Sequence, residues 1–494
     1  MAQSESRPLK VLMLVDNGIV GDSRVQKSAR AVADAGHEVH LVGLCVNGVP
    51  DTKPEIPGVT VHQVATTASF NQRKLSSIPK NPLYMLGYWD REATNRAQRR
   101  NAYRVAAVPV IRKSSATLGK AAKKIYNLTF KFHQFRLFIH RFALLHGSRN
   151  QTSALGKIRG RLTLIVRPHT AWKSLAPILK DLELSADGII AQINPDVVHA
   201  HDFRALGPGA RAALRRGGKK KVVIVYDAHE YLPGLTATPF VAQLGYENCE
   251  SQYIKCADHV VTVSERIADL LIERHGLSER PRIVLNAPPL DSAATTSRNL
   301  RHECGINEST PLAVYLGGVS PLRGLDVVVE GLVEISDLHI CFVSTMNPTL
   351  QAIVDDASAR GVGDRLHVVD YVAPNEVVPY IESATVGLVP LLHTLNHHSA
   401  LPSKFYEYAC AQIPILGSDV YTVAKTLQDT KLGEVFVAGD RKDFAIKLKE
   451  MLADNQKYRD AYRNVDRSQF TWEAQVDTLQ DLYAQISREF HGAS

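Results

Sequence analysis

Runs of apolar residues, each followed by a helix-period stretch, set the organisation of the chain. Residues 9–15 (LKVLMLV) form a continuous apolar run suited to a strand buried on both faces. The loop DNGIVGDS leads into a helical stretch over 24–35, Gly36 suits a C-cap, and HEVHLVGL supplies a second strand. VTVHQV at 59–64 reads as a third. This is a βαβ opening, and the alternation then lapses for about a hundred residues. It resumes with a helix over 174–193 and the strand PDVVHAHD. A helix over 205–216 precedes KKVVIVYDAHEY, whose C-terminal end carries Asp227, His229 and Glu230. A helix over 250–257, the strand HVVTVS and a helix ending at Gly276 follow.

A polar stretch, 291–310, reads as a linker, and a second α/β series begins after it. PLAVYLGG predicts a strand ending in two glycines, Gly317 and Gly318. SPLRGLDVVVEGLVEI predicts a helix with Arg323 in its first turn. HICFVST, LHVVDYV, TVGLVPL, IPILGS and GEVFVAG supply further strands, and a last helix covers roughly 471–487. The expected fold class is α/β, two Rossmann-like domains facing across a cleft. The first domain takes residues 1–290 with a basic, largely helical insertion over about 71–173. The second takes 311–470, and the C-terminal helix of 471–494 packs back on the first.

Charge changes the picture in one place. Over 71–180, 23 Lys/Arg face only Asp90 and Glu92, a net +21, so the rest of the chain carries −13 against a whole-chain +8. Within that segment Ile125, Leu128, Phe132, Phe135, Ile139 and Phe142 recur at three- and four-residue steps, with Lys123, Lys124, Lys131, Arg136 and Arg141 on other faces. Such a helix either buries its stripe in the protein's own core or lies on an anionic membrane surface. No nucleic-acid module accompanies the charge, so no nucleic acid is expected. The six cysteines show no zinc spacing and no metal site is expected. MAQSESRPLK lacks a signal-peptide core, so the expected location is cytoplasmic, with peripheral attachment at the cytoplasmic membrane face.

Candidate chemistry concentrates at 395–419, LNHHSALPSKFYEYACAQIPILGSD. If Pro402 opens a helix, the backbone N–H groups of Ser403, Lys404 and Phe405 form an electropositive end that seats phosphate. Lys404 adds a cation, and Glu407 is an acceptor suited to paired ribose hydroxyls. The plainer alternative is a capped helix with an i, i+3 pair between Lys404 and Glu407. The first loop carries only Gly18 and Gly21, which disfavours a Rossmann dehydrogenase. Arg24 and Lys27 at the next helix either hold an anion or are solvated helix charges. His229 is either a strand-end histidine satisfied by its neighbours or a catalytic group.

In this order, DSRVQKSARAVADAGHEVHLVGL, HAHD, YDAHEY, GGVSPLRGLDVVVEGL and ALPSKFYEYACAQIPILGSD resemble a GT-B glycosyltransferase of the large retaining, nucleotide-sugar-dependent group. The resemblance implies that the second domain holds the donor, with Gly317, Gly318, Arg323, Ser399, Ser403, Lys404, Phe405 and Glu407 around it. Arg323 would meet the diphosphate and Glu407 the ribose. Gly318 stands where many members carry a further arginine, and Ser399 where they carry a first glutamate that contacts the donor sugar. His229 matches a histidine set beside the donor sugar, so His229, Arg323 and Glu407 are the implied catalytic set. Gly21, Asp22, Arg24, His201 and Asp202 fall on the acceptor side. The implied activity is metal-independent transfer, with retention, from a UDP- or GDP-linked sugar to a glycan or lipid-linked acceptor, with no cofactor beyond the donor. A GT-B epimerase or phosphorylase, or a non-catalytic GT-B scaffold binding anionic lipid or polymer, are the alternatives.

Overall fold

The computed structural model describes residues 7–46, 48–66, 131–132, 135, 153–215, 222–236, 238–290 and 296–492. The aromatic helix read over 125–142 lies outside these residues, apart from Lys131, Phe132 and Phe135, which have helical backbone. Two compact units emerge: residues 1–260 with 486–494, and residues 261–485.

In the first unit β1 (Lys10–Val15), β2 (Glu38–Cys45), β3 (Val59–Ala65), β4 (Val197–His201) and β5 (Val223–Ala228) belong to a seven-stranded sheet. Its last two strands, β6 (His259–Thr262) and β7 (Arg282–Ile283), lie where the chain passes into the second unit. The order is β3-β2-β1-β4-β5-β6-β7. Strand β1 pairs in parallel with both β2 and β4, Val11 lying opposite Val39 on one side and Val197 on the other. The burial of β1 on both faces explains its unbroken apolar run.

The second unit holds β8 (Leu312–Leu316), β9 (His339–Val343), β10 (Leu366–Val369), β11 (Val386–Val389), β12 (Ile415–Ser418) and β13 (Gly433–Phe436). Their order is β10-β9-β8-β11-β12-β13. Leu312, Val314 and Leu316 enter one core, while Ala313 and Tyr315 enter another on the opposite face. Side chains therefore alternate between two buried faces, and the strand shows no polar alternation to read.

Both sheets reverse their winding once, beside β1 and β4 in the first and beside β8 and β11 in the second. Open parallel sheets bind ligands at the carboxyl ends of the strands flanking such a reversal, because the two following loops diverge there. The candidate residues collect at these two places.

Several elements differ from expectation. Residues 174–193 are not one helix: Trp172–Leu175 ends at Ala176, and Pro177 is the N-cap of Ile178–Ile193. The stretch around 250–257 is the end of a longer helix, Phe240–Tyr253. Arg323 does not sit in the first turn of a helix. It ends a 3-10 turn, Pro321–Arg323, closed by Gly324 at φ +64°. The α-helix, Val328–Glu334, begins only after a second such turn. A left-handed glycine breaks the helix ladder there.

Candidate active site

In the second unit a cavity of about 330 Å³ lies at the carboxyl end of β8. Gly317, Gly318, Arg323, Ser403, Lys404 and Glu407 all line it, together with Tyr371 and Val372 after β10. Six of the eight donor-side candidates are thus brought together. The other two are not. Phe405 is fully buried in the core, and its N–H donates to the Pro402 carbonyl at 2.9 Å. Pro402 is the N-cap of Ser403–Cys410 rather than its first helical residue, so its carbonyl takes that donor. Ser403 and Lys404 remain the N–H groups of the electropositive end. Ser399 closes a short helix, Leu395–Ser399, and is buried, its hydroxyl donating to the Leu395 carbonyl at 2.6 Å. Its side chain turns back on its own helix.

Lys404 is held over an aromatic face, its Nζ 3.6 Å from the centre of the Tyr315 ring. The Tyr315 hydroxyl donates to the Gly318 carbonyl at 3.0 Å. Gly317 adopts φ +101°, which favours glycine, and it lies beside the lysine, where a β-carbon would meet Nζ at an ordinary contact of 3.7 Å. Burial pushes the Lys404 ammonium well below the usual lysine range and the nearby Arg323 charge adds to this, with Glu407 opposing. An anion in this pocket would offset the repulsion between the two cations.

The loop carrying Arg323 is tied down by backbone. A β-carbon on Gly324 would come 2.1 Å from the Pro390 carbonyl oxygen, and Leu392 N donates to Leu322 O at 3.2 Å. Asn347 Nδ2 donates to Val319 O at 3.0 Å.

Tyr408 fixes the helix that carries Lys404 and Glu407. Its hydroxyl donates to the Val314 carbonyl at 3.0 Å and accepts from Leu316 N at 3.1 Å. Its ring fills the space left by Gly387, where a β-carbon would stand 2.5 Å away. Removing the hydroxyl strands buried backbone groups at the end of β8. Tyr408→Phe is expected to cost about 1–3 kcal/mol in urea unfolding and to weaken binding of the nucleotide that the resemblance implies, measured by calorimetry. A variant as stable as wild type with unchanged affinity would refute this positioning role.

In the first unit the centre is Asp227, at the end of β5. Its carboxylate accepts from Arg24 Nε at 2.9 Å and Nη2 at 2.7 Å, from His201 Nδ1 at 3.2 Å and from His229 Nε2 at 3.2 Å. Arg24 is 4% exposed and Asp227 1%. Arg24 is therefore neither a solvated helix charge nor an open anion seat, because its guanidinium is engaged on Asp227. Burial opposes the charge on Asp227, yet Arg24 and the two histidines hold its carboxyl well below the usual range. Burial likewise opposes the charge on His229, and Asp227 outweighs it, raising the imidazole above its ordinary value. Burial lowers His201 and lowers His199 further, and the two rings stack at 4.3 Å. His199, His201 and Asp227 offer three atoms within 4.8 Å of one another. The Arg24 charge already occupies this carboxylate, which disfavours a cation there.

Asp202 follows β4 in left-handed conformation at φ +66°, its N–H on the Asp227 carbonyl at 2.9 Å and its carboxylate accepting from Phe203 N at 2.7 Å. Burial, opposed by His229, pushes its pKa up to about 7. Asp22 caps Ser23–Asp34, accepting from Val25 N at 3.3 Å, and also accepts from Asn17 Nδ2 at 2.8 Å. Gly21 precedes it at φ +78° with nothing within 4 Å of a β-carbon. Sequence reasoning missed the roles of Asp227, Tyr315 and Tyr408. The available signal was an Asp between two strand-end histidines, and a tyrosine one turn after Lys404.

The family model Glycosyltransferase Family 4 matches residues 133–291, and Glycosyl transferases group 1 matches residues 296–468. Among curated proteins, the D-inositol 3-phosphate glycosyltransferase of Nocardia farcinica is 24% identical over 326 residues, spanning 60% of this chain and 68% of that protein. Sucrose-phosphate synthase from Thermosynechococcus elongatus superposes with a TM-score of 0.61 at 14% identity, covering 98% of this chain and 99% of that one. Anabaena HepE, in a complex with UDP and glucose, gives 0.56 at 13% identity, covering 97% and 98%. With both domain models matched in chain order on two parallel α/β sheets, the chain belongs to the GT-B glycosyltransferases and is a glycosyltransferase enzyme.

Proposed function

We propose that the chain transfers a sugar from a nucleoside-diphosphate donor, UDP-linked by preference, to a hydroxyl of a glycan or lipid-linked acceptor, with retention and without a metal ion. The observation that carries this is the convergence of Arg323, Lys404 and the Ser403–Cys410 helix end on one cavity that Glu407 also lines. Fixed cations and an N–H dipole can offset charge as it builds on a leaving diphosphate, the role a metal plays elsewhere. Glu407 suits the ribose hydroxyls. His229, whose imidazole Asp227 raises above its ordinary value against the opposing effect of burial, is a second candidate for countering negative charge during transfer. The UDP and glucose bound by HepE support the donor class. The name of the Nocardia relative adds a phosphorylated polyol to the acceptors worth testing. We place the basic segment, residues 71–180, at an anionic membrane surface that presents the acceptor.

Calorimetry with UDP, GDP and ADP tests the donor site on wild type and Glu407→Ala. One nucleotide should bind, and the substitution should weaken it about tenfold or more, as expected for losing a charge-assisted bond to paired hydroxyls. Binding of none of the three, or equal binding by the variant, would refute the assignment. Epimer formed without an acceptor would favour an epimerase instead.

A further inference from the structure

The first unit carries an apolar stripe with no covering element among the described residues. The helix Ala154–Val166 exposes Ile158 by 56%, Leu162 by 54%, Ile165 by 74% and Val166 by 74%. Its opposite side is fixed to the protein. Gly160 is buried, with Leu244 3.0 Å from where its β-carbon would stand, while Lys157 and Arg161 lie over the Phe240 ring at 5.5 and 5.6 Å. At about 100° per residue, Ile158, Leu162 and Ile165 lie roughly opposite Gly160. Arg161 and Arg159 flank them on either side. The packing face and the apolar face are thus separate, and burial against Phe240–Tyr253 does not account for the stripe.

Charge indicates what the stripe meets. From 151 to 180 the chain has six cations, Lys157, Arg159, Arg161, Arg167, Lys173 and Lys180, and no Asp or Glu before Asp181. A protein partner could be apolar with any charge pattern. A stripe bordered by arginines with no acidic residue matches the boundary between acyl chains and anionic headgroups. We propose that this helix lies in the headgroup layer of an anionic membrane, with Ile158, Leu162, Ile165 and Val166 entering the acyl boundary and Arg159 meeting lipid phosphate. The proposal rests on the membrane reading of the basic segment and replaces a charge count with a defined face. It does not depend on the donor site, which lies in the other unit.

Flotation of the full chain tests it, using phosphatidylcholine vesicles with and without about 30% phosphatidylglycerol. Wild type should float only with the anionic vesicles and should be released by salt. Ile158→Ser with Ile165→Ser should reduce bound protein about tenfold, since two apolar side chains leave the acyl boundary. Both positions are exposed, so the thermal midpoint should not move. A variant that floats like wild type overturns the assignment to this helix and leaves the rest of the basic segment as the membrane contact. Wild type that floats with neither vesicle overturns both membrane readings and leaves the transferase reading, which the nucleotide titrations test separately. A large fall in the variant's midpoint also overturns the proposal, because the stripe would then be buried against another part of the chain.

Discussion

Asp227→Asn should destabilise the protein by about 3–5 kcal/mol, read as a lower urea midpoint with an unchanged slope, because it leaves a buried guanidinium without its counter-charge. Arg24 is 4% exposed and spends two N–H groups on this carboxylate. An amide keeps the shape but removes the charge and turns one acceptor into a donor facing donors. A loss below about 1 kcal/mol would mean that Asp227 is not the contact that holds the Arg24 guanidinium in place and that the cluster does not hold the first unit together.

The pH dependence carries a sign for each member. The folded pKa of Asp227 is depressed, so its contribution is present above the unfolded value of about 4 and is lost as pH falls through the folded value. That of His229 is raised, so its contribution is complete below about 6.5 and is lost as pH rises through its folded value. His199 and His201 are depressed and so cost stability as pH falls below about 6.5. In the Asp227→Asn variant the chief cause of the raised His229 value is gone and only the smaller effect of Asp202 remains, so the His229 contribution lost on the alkaline side should shrink.

On the proposed donor reading, Lys404→Ala and Arg323→Ala should each lower kcat/KM about 10²-fold or more, since each would remove a charge-assisted contact that tightens as the diphosphate departs. The discriminating measurement is binding of a nucleoside against its own diphosphate. Only the diphosphate should weaken. Equal losses for both ligands would assign the two residues to the shape of the pocket. The two substitutions should not be additive, because Arg323 depresses the Lys404 ammonium and its removal lets Lys404 carry charge more readily. Diphosphate affinity in wild type should also begin to fall below the ordinary lysine range as pH rises, and Lys404→Arg should abolish that fall.

The sheets were legible because β1 and β8 are buried on both faces, and a strand so placed must be apolar at every position, which is a pattern that shows in the sequence directly. The second reversal point was legible too, since a strand ending in two glycines and a Pro-Ser-Lys helix start are local signals. What escaped was set at a distance or by backbone. Arg24 and Asp227 stand 203 residues apart, so no window holds both, and Arg24 alone reads as an ordinary helix cation. Phe405 read as a site residue through its backbone N–H at the helix end, but that reading took Pro402 as the first helical residue, and as the N-cap Pro402 takes that donor on its own carbonyl. Arg323 read as helical because its neighbours favour helix, until Gly324 is seen to need φ +64° against the Pro390 carbonyl.

That glycine has a kinetic consequence. The loop bearing Arg323 abuts the chain after β11 at Gly324 and is hydrogen-bonded to the segment after β9 through Asn347. A strap fastened at both ends cannot swing open and shut as a lid does on each turnover. The phosphate seat should meet incoming donor already shaped. Association there should follow a single exponential whose rate rises linearly with nucleotide concentration, without a slow second phase from reordering of this loop.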